Sequence, residues 1–483
     1  MFEKFLFMKN SLFVAAFLII CGQAFSQGQF ELWGSAWQGG ANDHGTIFSY
    51  NPFSDTIIDR FDFYANTYNS GAFPYSSPTL ASNGKLYGVT TRGGYYNCGA
   101  LYEFDPNSHV FNLKADFQSA TTGESPLFSM IQAADGNLYG TTNLGGTYNK
   151  GTLFRYNIST NSLTCLHNFD TLQGAYPGLI LQLANGKLYG VSDEGGQYNK
   201  GTIFEFDLTN NQINILYEFD GYYHGAAPKS LVYYPPSDCF YGVTSSGGIN
   251  NFKGTIFKYN INTDSLTVIR QCNNNDSIGY EPGGGLEIAT DNKIYGLTAS
   301  GTPNSRGALF RIDPATDSVS SLFMFESSAN GGASSTTPMQ ASDGYLYGLT
   351  SNYATQSGGA IFMFDIFSDT YYQRSYFRLD DGVWPVFVKL VEVSSSTSVI
   401  DYNALLKCNV FPNPASDVLY LSLKDCTQHC ITLMNNSGST VFSTQSHSSG
   451  VLEINISTFS PGLYFLKIEN AEGFVLKRVV VER

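Results

Sequence analysis

The side chains able to do chemistry are spread thinly along this chain, and many recur in register. Six histidines (His44, His109, His167, His224, His429 and His447) fall at unrelated spacings, and no His-Glu-x-x-His helix or Gly-x-Ser-x-Gly elbow occurs. Carboxylates follow strand-ending phenylalanines at Asp62, Asp170 and Asp220, and again at Asp105, Asp207 and Asp365. Repetition in register marks them as turn-stabilising Asx residues, whereas glycosidic cleavage needs two carboxylates facing one another across a cleft. Cys426-Thr427-Gln428-His429-Cys430 has zinc-ligand types but no second pair, so it reads as strand neighbours or one local disulfide. The sequence implies no metal and no cofactor.

Three recurrent positions suit a ligand instead. The residue before a repeated Gly-(Thr/Ala) strand is His44, Cys98, Lys150, Lys200, Lys253, Arg306 or Gly358. Its cations Lys150, Lys200, Lys253 and Arg306 would suit an anionic glycan, or simply a polar strand start. Tyr96, Tyr148 and Tyr198 stand beside Asn97, Asn149 and Asn199, a pair suited to stacking on a sugar or, because it repeats, to pinning its own loop. Arg92, Asn143 and the pair Asp193-Glu194 depart from the repeat in a loop that elsewhere carries Ser246 or Ala299. Departures of this kind are where a site is grafted onto a repeat, and ordinary drift produces them too. Asp55-Thr56-Ile57, Asp264-Ser265-Leu266 and Asp317-Ser318-Val319 resemble a bacterial O-glycosylation pattern, and turn chemistry explains them equally well.

The elements that position these residues come from a repeat. An aromatic-Gly pair recurs at Trp33, Tyr87, Tyr139, Tyr189, Tyr241, Tyr295 and Tyr347, in steps of 50 to 54 residues. A Gly-x-x-Phe or Gly-x-x-Tyr motif keeps the same beat, from Gly45-Thr46-Ile47-Phe48 to Gly359-Ala360-Ile361-Phe362. A fixed period near ~50 marks a propeller or array. Within one unit, the Asp135-Gly136 hairpin and the strand-like stretches on either side give four short strands, one propeller blade. The first copy lacks a first strand, and residues 385–393 resemble the start of a blade with none to follow. The expectation is an all-β chain with a seven-bladed β-propeller over residues 27–393, closed by that C-terminal strand. The longer loops, second-to-third and fourth-to-first, emerge on one face, where a ligand is to be sought.

Composition agrees. Charged residues make up 14%, aromatics 15% and hydrophobic residues 42%, ample apolar surface for a core. The 26 basic and 40 acidic side chains give a net charge of −14 without a Lys/Arg run, which argues against nucleic acid. Residues 406–483 carry six basic and six acidic side chains, so the acidic excess lies elsewhere. Lys4 and Lys9 precede the apolar run from Ser11 to Ile20, and Ala24-Phe25-Ser26 is a cleavage site, the order of a signal peptide over residues 1–26. No later stretch approaches the ~18 apolar residues of a membrane helix, so the mature chain is expected to lack a transmembrane segment.

The blade pattern Leu-Tyr-Gly-(Val/Leu)-Thr…Gly-Gly-x-x-Asn-x-Gly-Thr-(Ile/Leu)-Phe resembles the bacterial GloVer tandem repeat, and Asn185-Gly186-Lys187-Leu188-Tyr189-Gly190 with Gly195-Gly196 is similar to a kelch blade. After a Ser/Thr-rich linker over 394–405, residues 406–483 resemble a type A C-terminal sorting domain of the type IX secretion system. The resemblance rests on Pro412-Asn413-Pro414, Gly438, Gly462-Leu463-Tyr464 and the basic last strand with Lys477. It implies a small immunoglobulin-like β-sandwich, engagement of the type IX machinery and delivery to the surface or medium. The functional expectation is an exported binding or interaction module whose partner is a glycan or a protein. The alternative is a polysaccharide-active enzyme, glycosidase or lyase, with its site on the loop-rich face.

Overall fold

Gly140 stands opposite Phe154 where Leu138–Thr142 pairs antiparallel with Thr152–Asn157, and this explains why the two repeated motifs travel together. The Phe154 ring lies across the glycine: a Cβ built there would fall 2.6 Å from Phe154 Cζ. Gly190 with Phe204 and Gly296 with Phe310 repeat the contact at 2.6 and 2.5 Å. The tyrosine before each glycine is buried, with Tyr87, Tyr139, Tyr189, Tyr241, Tyr295 and Tyr347 at most 3% exposed. In three blades the hydroxyl pins the hairpin: Tyr139 donates to Asp135 at 2.7 Å, Tyr295 to Asp291 at 2.8 Å and Tyr347 to Asp343 at 2.7 Å.

The computed structural model describes residues 30–64, 70–250, 252–273, 277–301, 306–326, 331–332, 335–351, 358–394, 409–411, 415–423, 429–435, 440–446, 450–470 and 473–482. The expected signal peptide, the linker beyond Ser394 and Pro412-Asn413-Pro414 lie outside these residues. The chain divides into two compact units between Ser394 and Ser395. Among the described residues, no helix is long and apolar enough to cross a membrane.

In the first unit, two further strands complete a four-stranded antiparallel sheet around each motif pair, giving seven sheets among the described residues. The third runs Ile131–Gln132, Leu138–Thr142, Thr152–Asn157 and Ser162–Asn168 in spatial order. Each sheet shares one buried cluster with the sheet before it and another with the sheet after it. Trp33 and Ile47 of the first meet Leu86 and Tyr102 of the second. Tyr87 and Leu101 then meet Leu138 and Phe154, and Tyr139 and Leu153 meet Leu188 and Phe204. Tyr189 packs with Phe257, Tyr241 with Phe310 and Tyr295 with Phe362. The circle closes where Tyr347 and Ile361 of the seventh sheet pack with Leu32 and Phe48 of the first. A closed ring of sheets is a β-propeller.

Closure comes from the far end of the unit, as the sequence led us to expect. Val391–Ser394 pairs antiparallel with Phe30–Ala36, placing Val391 opposite Trp33 and Glu392 opposite Leu32. The closing strand starts later than residue 385 because Trp384 and Phe387 take left-handed φ of 56° and 52°, which interrupts extended backbone. The first strands of neighbouring sheets, or the residues leading into them, are tied to one another by hydrogen bonds. Thr79 Oγ1 donates to Met130 O at 2.5 Å, Ser230 Oγ to Gly284 O at 3.1 Å and Gly285 N to Thr337 Oγ1 at 2.8 Å.

The second unit has a three-stranded sheet (Asn409–Phe411, Val418–Leu423, Gly450–Asn455) and a four-stranded one (Thr440–Ser446, His429–Asn435, Gly462–Asn470, Gly473–Val481). Leu419, Leu421 and Ile454 of one share a core with Ile431, Leu433, Leu466, Ile468 and Val479 of the other. Tyr464 packs into that core and donates to Ser460 O at 2.8 Å, Gly462 opens its strand, and Lys477 pairs with Leu466.

Candidate functional site

The connections that feed each first strand share one backbone device. Phe73, Ser125, Tyr176, Ala227, Glu281 and Trp384, each followed by proline, adopt left-handed φ of 52–60°, a costly conformation before proline. Their N–H groups donate at 2.9–3.0 Å to the carbonyls of His44, Cys98, Lys150, Lys200, Lys253 and Gly358 in the preceding sheet. The residue before the Gly-(Thr/Ala) strand therefore acts through its carbonyl, which joins one blade to the next.

On this scaffold lies a cavity of about 500 Å³ lined by Trp37, Gln38, Phe73, Tyr75, Thr91, Arg92, Ser125, Leu127 and Phe387. Trp37, Gln38, Thr91 and Arg92 come from second-to-third loops, and the other five from fourth-to-first connections. The cavity thus opens on the loop-rich face, over the first three blades. Its aromatic wall is braced: Trp37 meets Tyr75 edge-on at 5.4 Å, Trp384 approaches Trp37 at 6.1 Å, and Tyr75 stacks on Phe387 at 5.7 Å. Trp37, Tyr75, Trp384 and Phe387 are all half-buried. Burial pushes the Tyr75 hydroxyl above its ordinary pKa, so it remains a neutral donor and acceptor.

The rim is polar and carries one cation. Arg92 is exposed, and among the described residues its guanidinium makes no hydrogen bond or ion pair. Arg60, Arg311 and Arg374 by contrast are paired with Glu31, Asp369 and Asp55 at 2.9, 2.7 and 3.5 Å. No carboxylate is among the described residues lining the cavity, and none of those residues forms a group of three or more His, Cys, Asp or Glu placed to hold a metal.

Strand register shows how the cavity departs from the repeat. Arg92 bridges Ala72 as Leu144 bridges Glu124 and Gln38 bridges Val383, so Trp37, Thr91, Asn143 and Asp193 occupy one position. Ser245 and Ala299 hold it further round the ring. Asp193 there pairs with Lys229 Nζ at 2.5 Å, while its Oδ1 is buried without a partner. Burial pushes its carboxyl pKa up, against the pull of Lys229.

The profile of the Gloeobacter/Verrucomicrobia repeat matches residues 22–194 and 177–396. The chain belongs to the Gloeobacter/Verrucomicrobia repeat family. A second profile, the secretion system C-terminal sorting domain, matches residues 409–482. This tail belongs to type IX secretion, so this Gloeobacter/Verrucomicrobia repeat protein is exported to the cell surface or secreted. A search of curated proteins finds no match. Among solved structures, the chain is similar to candidate 6-phosphogluconolactonases of Bacteroides uniformis and Bacteroides fragilis. The first is 11% identical with a TM-score of 0.53, over 76% of this chain and 100% of that one. The second is 13% identical with a TM-score of 0.53, over 77% and 99%. They share the fold.

Among the candidates read from sequence in this repeat protein, Arg92 lines the cavity, and the others are placed elsewhere. Lys150 Nζ lies 4.7 Å from the Tyr176 ring centre and donates to its hydroxyl at 2.9 Å, and Lys253 Nζ lies 4.0 Å from the Tyr280 ring centre. Lys200 is exposed and its stem passes Gly221, and Arg306 is half-buried beside Gly332. Tyr148 and Tyr198 are exposed, while Asn149 and Asn199 pin their loops by accepting from Gly145 N and Gly195 N at 3.0 Å. Asn143 is half-buried, and Glu194 is exposed opposite Ala175. Asp105, Asp207 and Asp365 cap their turns at 2.8–2.9 Å. Sequence reading passed over Trp37, Tyr75, Trp384 and Phe387. Their signal was there: Trp37 stands where other repeats carry Thr, Asn, Asp, Ser or Ala.

Proposed function

We propose that this protein is an exported carbohydrate-binding propeller whose ligand packs in the aromatic cavity on the loop-rich face. The observation that carries the reading is the half-buried wall of Trp37, Tyr75 and Phe387, with no carboxylate among the described residues that line the cavity. Such rings present flat apolar faces to the C–H face of a pyranose. Gln38, Thr91 and Ser125 supply side-chain donors and acceptors for sugar hydroxyls. The volume, about 500 Å³, falls within the ~300–1,000 Å³ of small-ligand sites. Delivery by the sorting tail brings this face to extracellular polymers. Without a facing carboxylate pair the cavity favours binding over glycosidic cleavage.

The experiment is a glycan array with the purified chain and its Trp37→Ala and Phe387→Ala variants, alongside a reducing-sugar release assay. The reading expects a selective glycan signal that both variants lose, without release of sugar. A signal that both variants retain places the ligand elsewhere. Sugar release would instead support the polysaccharide-active alternative.

A further inference from the structure

Resting on the carbohydrate reading of the cavity, we infer that its ligand is an anionic saccharide, a uronate chain whose carboxylate is held by Arg92. The chain has 40 acidic side chains against 26 basic ones, and many of its cations are tied to carboxylates, although Lys150, Arg155 and Lys200 share with Arg92 the lack of one among the described residues. Lys85 is bound by Asp105, Lys187 by Glu205 at 2.8 Å, Lys293 by Asp313 at 2.6 Å and Lys389 by Glu287 at 2.7 Å. The guanidinium of Arg92 has no such partner among the described residues, yet it lines the aromatic cavity.

The repeat does not supply this cation. The equivalent positions carry Gln38, Leu144, Glu194, Ser246 and Ser300. Nor does Arg92 have a backbone role that needs its side chain, because its bridge to Ala72 uses main-chain atoms alone. A guanidinium presents a planar fork that matches a carboxylate in two parallel hydrogen bonds. A pyranose on Trp37 and Tyr75 with its C5 carboxylate directed at Arg92 would satisfy both the apolar wall and the cation. Among the described residues that line the cavity, Arg92 is the charged one and none is a carboxylate.

The test titrates the full chain by calorimetry with three probes: a 1,4-linked oligoglucuronate, the same oligosaccharide with its carboxylates methyl-esterified, and a sulfated neutral oligosaccharide. The proposal expects the free uronate to bind roughly tenfold or more tighter than its ester, with the margin shrinking as salt is raised. Arg92→Gln should reduce the uronate to the ester's affinity and leave the ester unchanged, and Arg92→Lys should restore part of the loss. Trp37→Ala should weaken both. Equal binding of uronate and ester, unaffected by Arg92→Gln, overturns the uronate assignment while leaving the carbohydrate reading standing. Preference for the sulfated probe overturns the choice of carboxylate. Binding of the uronate that Arg92→Gln removes but Trp37→Ala leaves intact retains the anion site and overturns the aromatic cavity as its seat.

Discussion

The Tyr102 hydroxyl lies 2.2 Å from the point where a Cβ on Gly88 would stand, and among the described residues it has no hydrogen-bond partner. Six of the seven blades place a phenylalanine at this position, Phe48, Phe154, Phe204, Phe257, Phe310 and Phe362. The second blade alone buries a phenol there, and burial pushes its pKa up. Tyr102→Phe should therefore stabilise the propeller by about 1–3 kcal/mol, the cost of an unsatisfied buried polar group. Phe154→Tyr should destabilise it. Thermal unfolding of both variants checks the pair, and a lowered Tm for Tyr102→Phe would refute the packing argument.

Ring closure predicts a sharp boundary. A chain ending at Ser394 keeps the closing strand, whereas one ending at Tyr376 loses it together with buried Val388, Leu390 and Val393. Each of those side chains contributes about 1.5–3 kcal/mol when buried. The shorter chain should unfold at a clearly lower denaturant concentration than the longer one. Equal midpoints would show that the ring does not depend on this pairing.

Asp59 gives the stability a pH signature. Burial, and then Asp62 beside it, push its carboxyl pKa up to about 7. Between roughly pH 4, where an unfolded aspartate titrates, and pH 7 the folded chain holds a proton that the unfolded chain has released. Unfolding then releases a proton, so stability from this group is full below the unfolded pKa and falls as pH rises through the folded one. Asp59→Asn should flatten the decline between pH 4 and 8 and leave the variant more stable than the parent at pH 8. Parallel profiles for the two proteins would rule the effect out.

Export should depend on the tail. Deleting residues 409–482, the span of the sorting domain, should leave a folded propeller inside the outer membrane of a type IX-competent host. Fractionation reads the outcome, and surface delivery of the deleted chain would contradict the sorting role.

The fold was legible because Tyr139, Gly140 and Phe154 form one packing unit, and its repetition puts strand, turn and sheet interface into the sequence at a fixed beat. Closure was legible from the half-blades at Phe30 and beyond Pro385. The cavity was not, because Trp37, Tyr75 and Phe387 are far apart along the chain and become neighbours only once the ring closes. Arg92 was singled out, but beside Asn143. Register shifts it by one residue, to the position of Leu144. The recurring lysines suggested a ligand, yet Lys150 and Lys253 are engaged by tyrosines of the following blade, contacts that the repeat period alone does not reveal.

The central claim, that a saccharide occupies the aromatic cavity, is tested most directly by tryptophan fluorescence. The chain has three tryptophans. Trp33 is 1% exposed between blades, and the half-buried Trp37 and Trp384 stand together at the cavity. Titrating the full chain with the oligosaccharide selected on the array should give a saturable change in emission and shield Trp37 from acrylamide. Trp37→Ala should lose the saturable change while still unfolding in one cooperative transition, at a temperature lowered by the lost ring contacts. A bound oligosaccharide that leaves emission and acrylamide quenching unchanged would contradict the account.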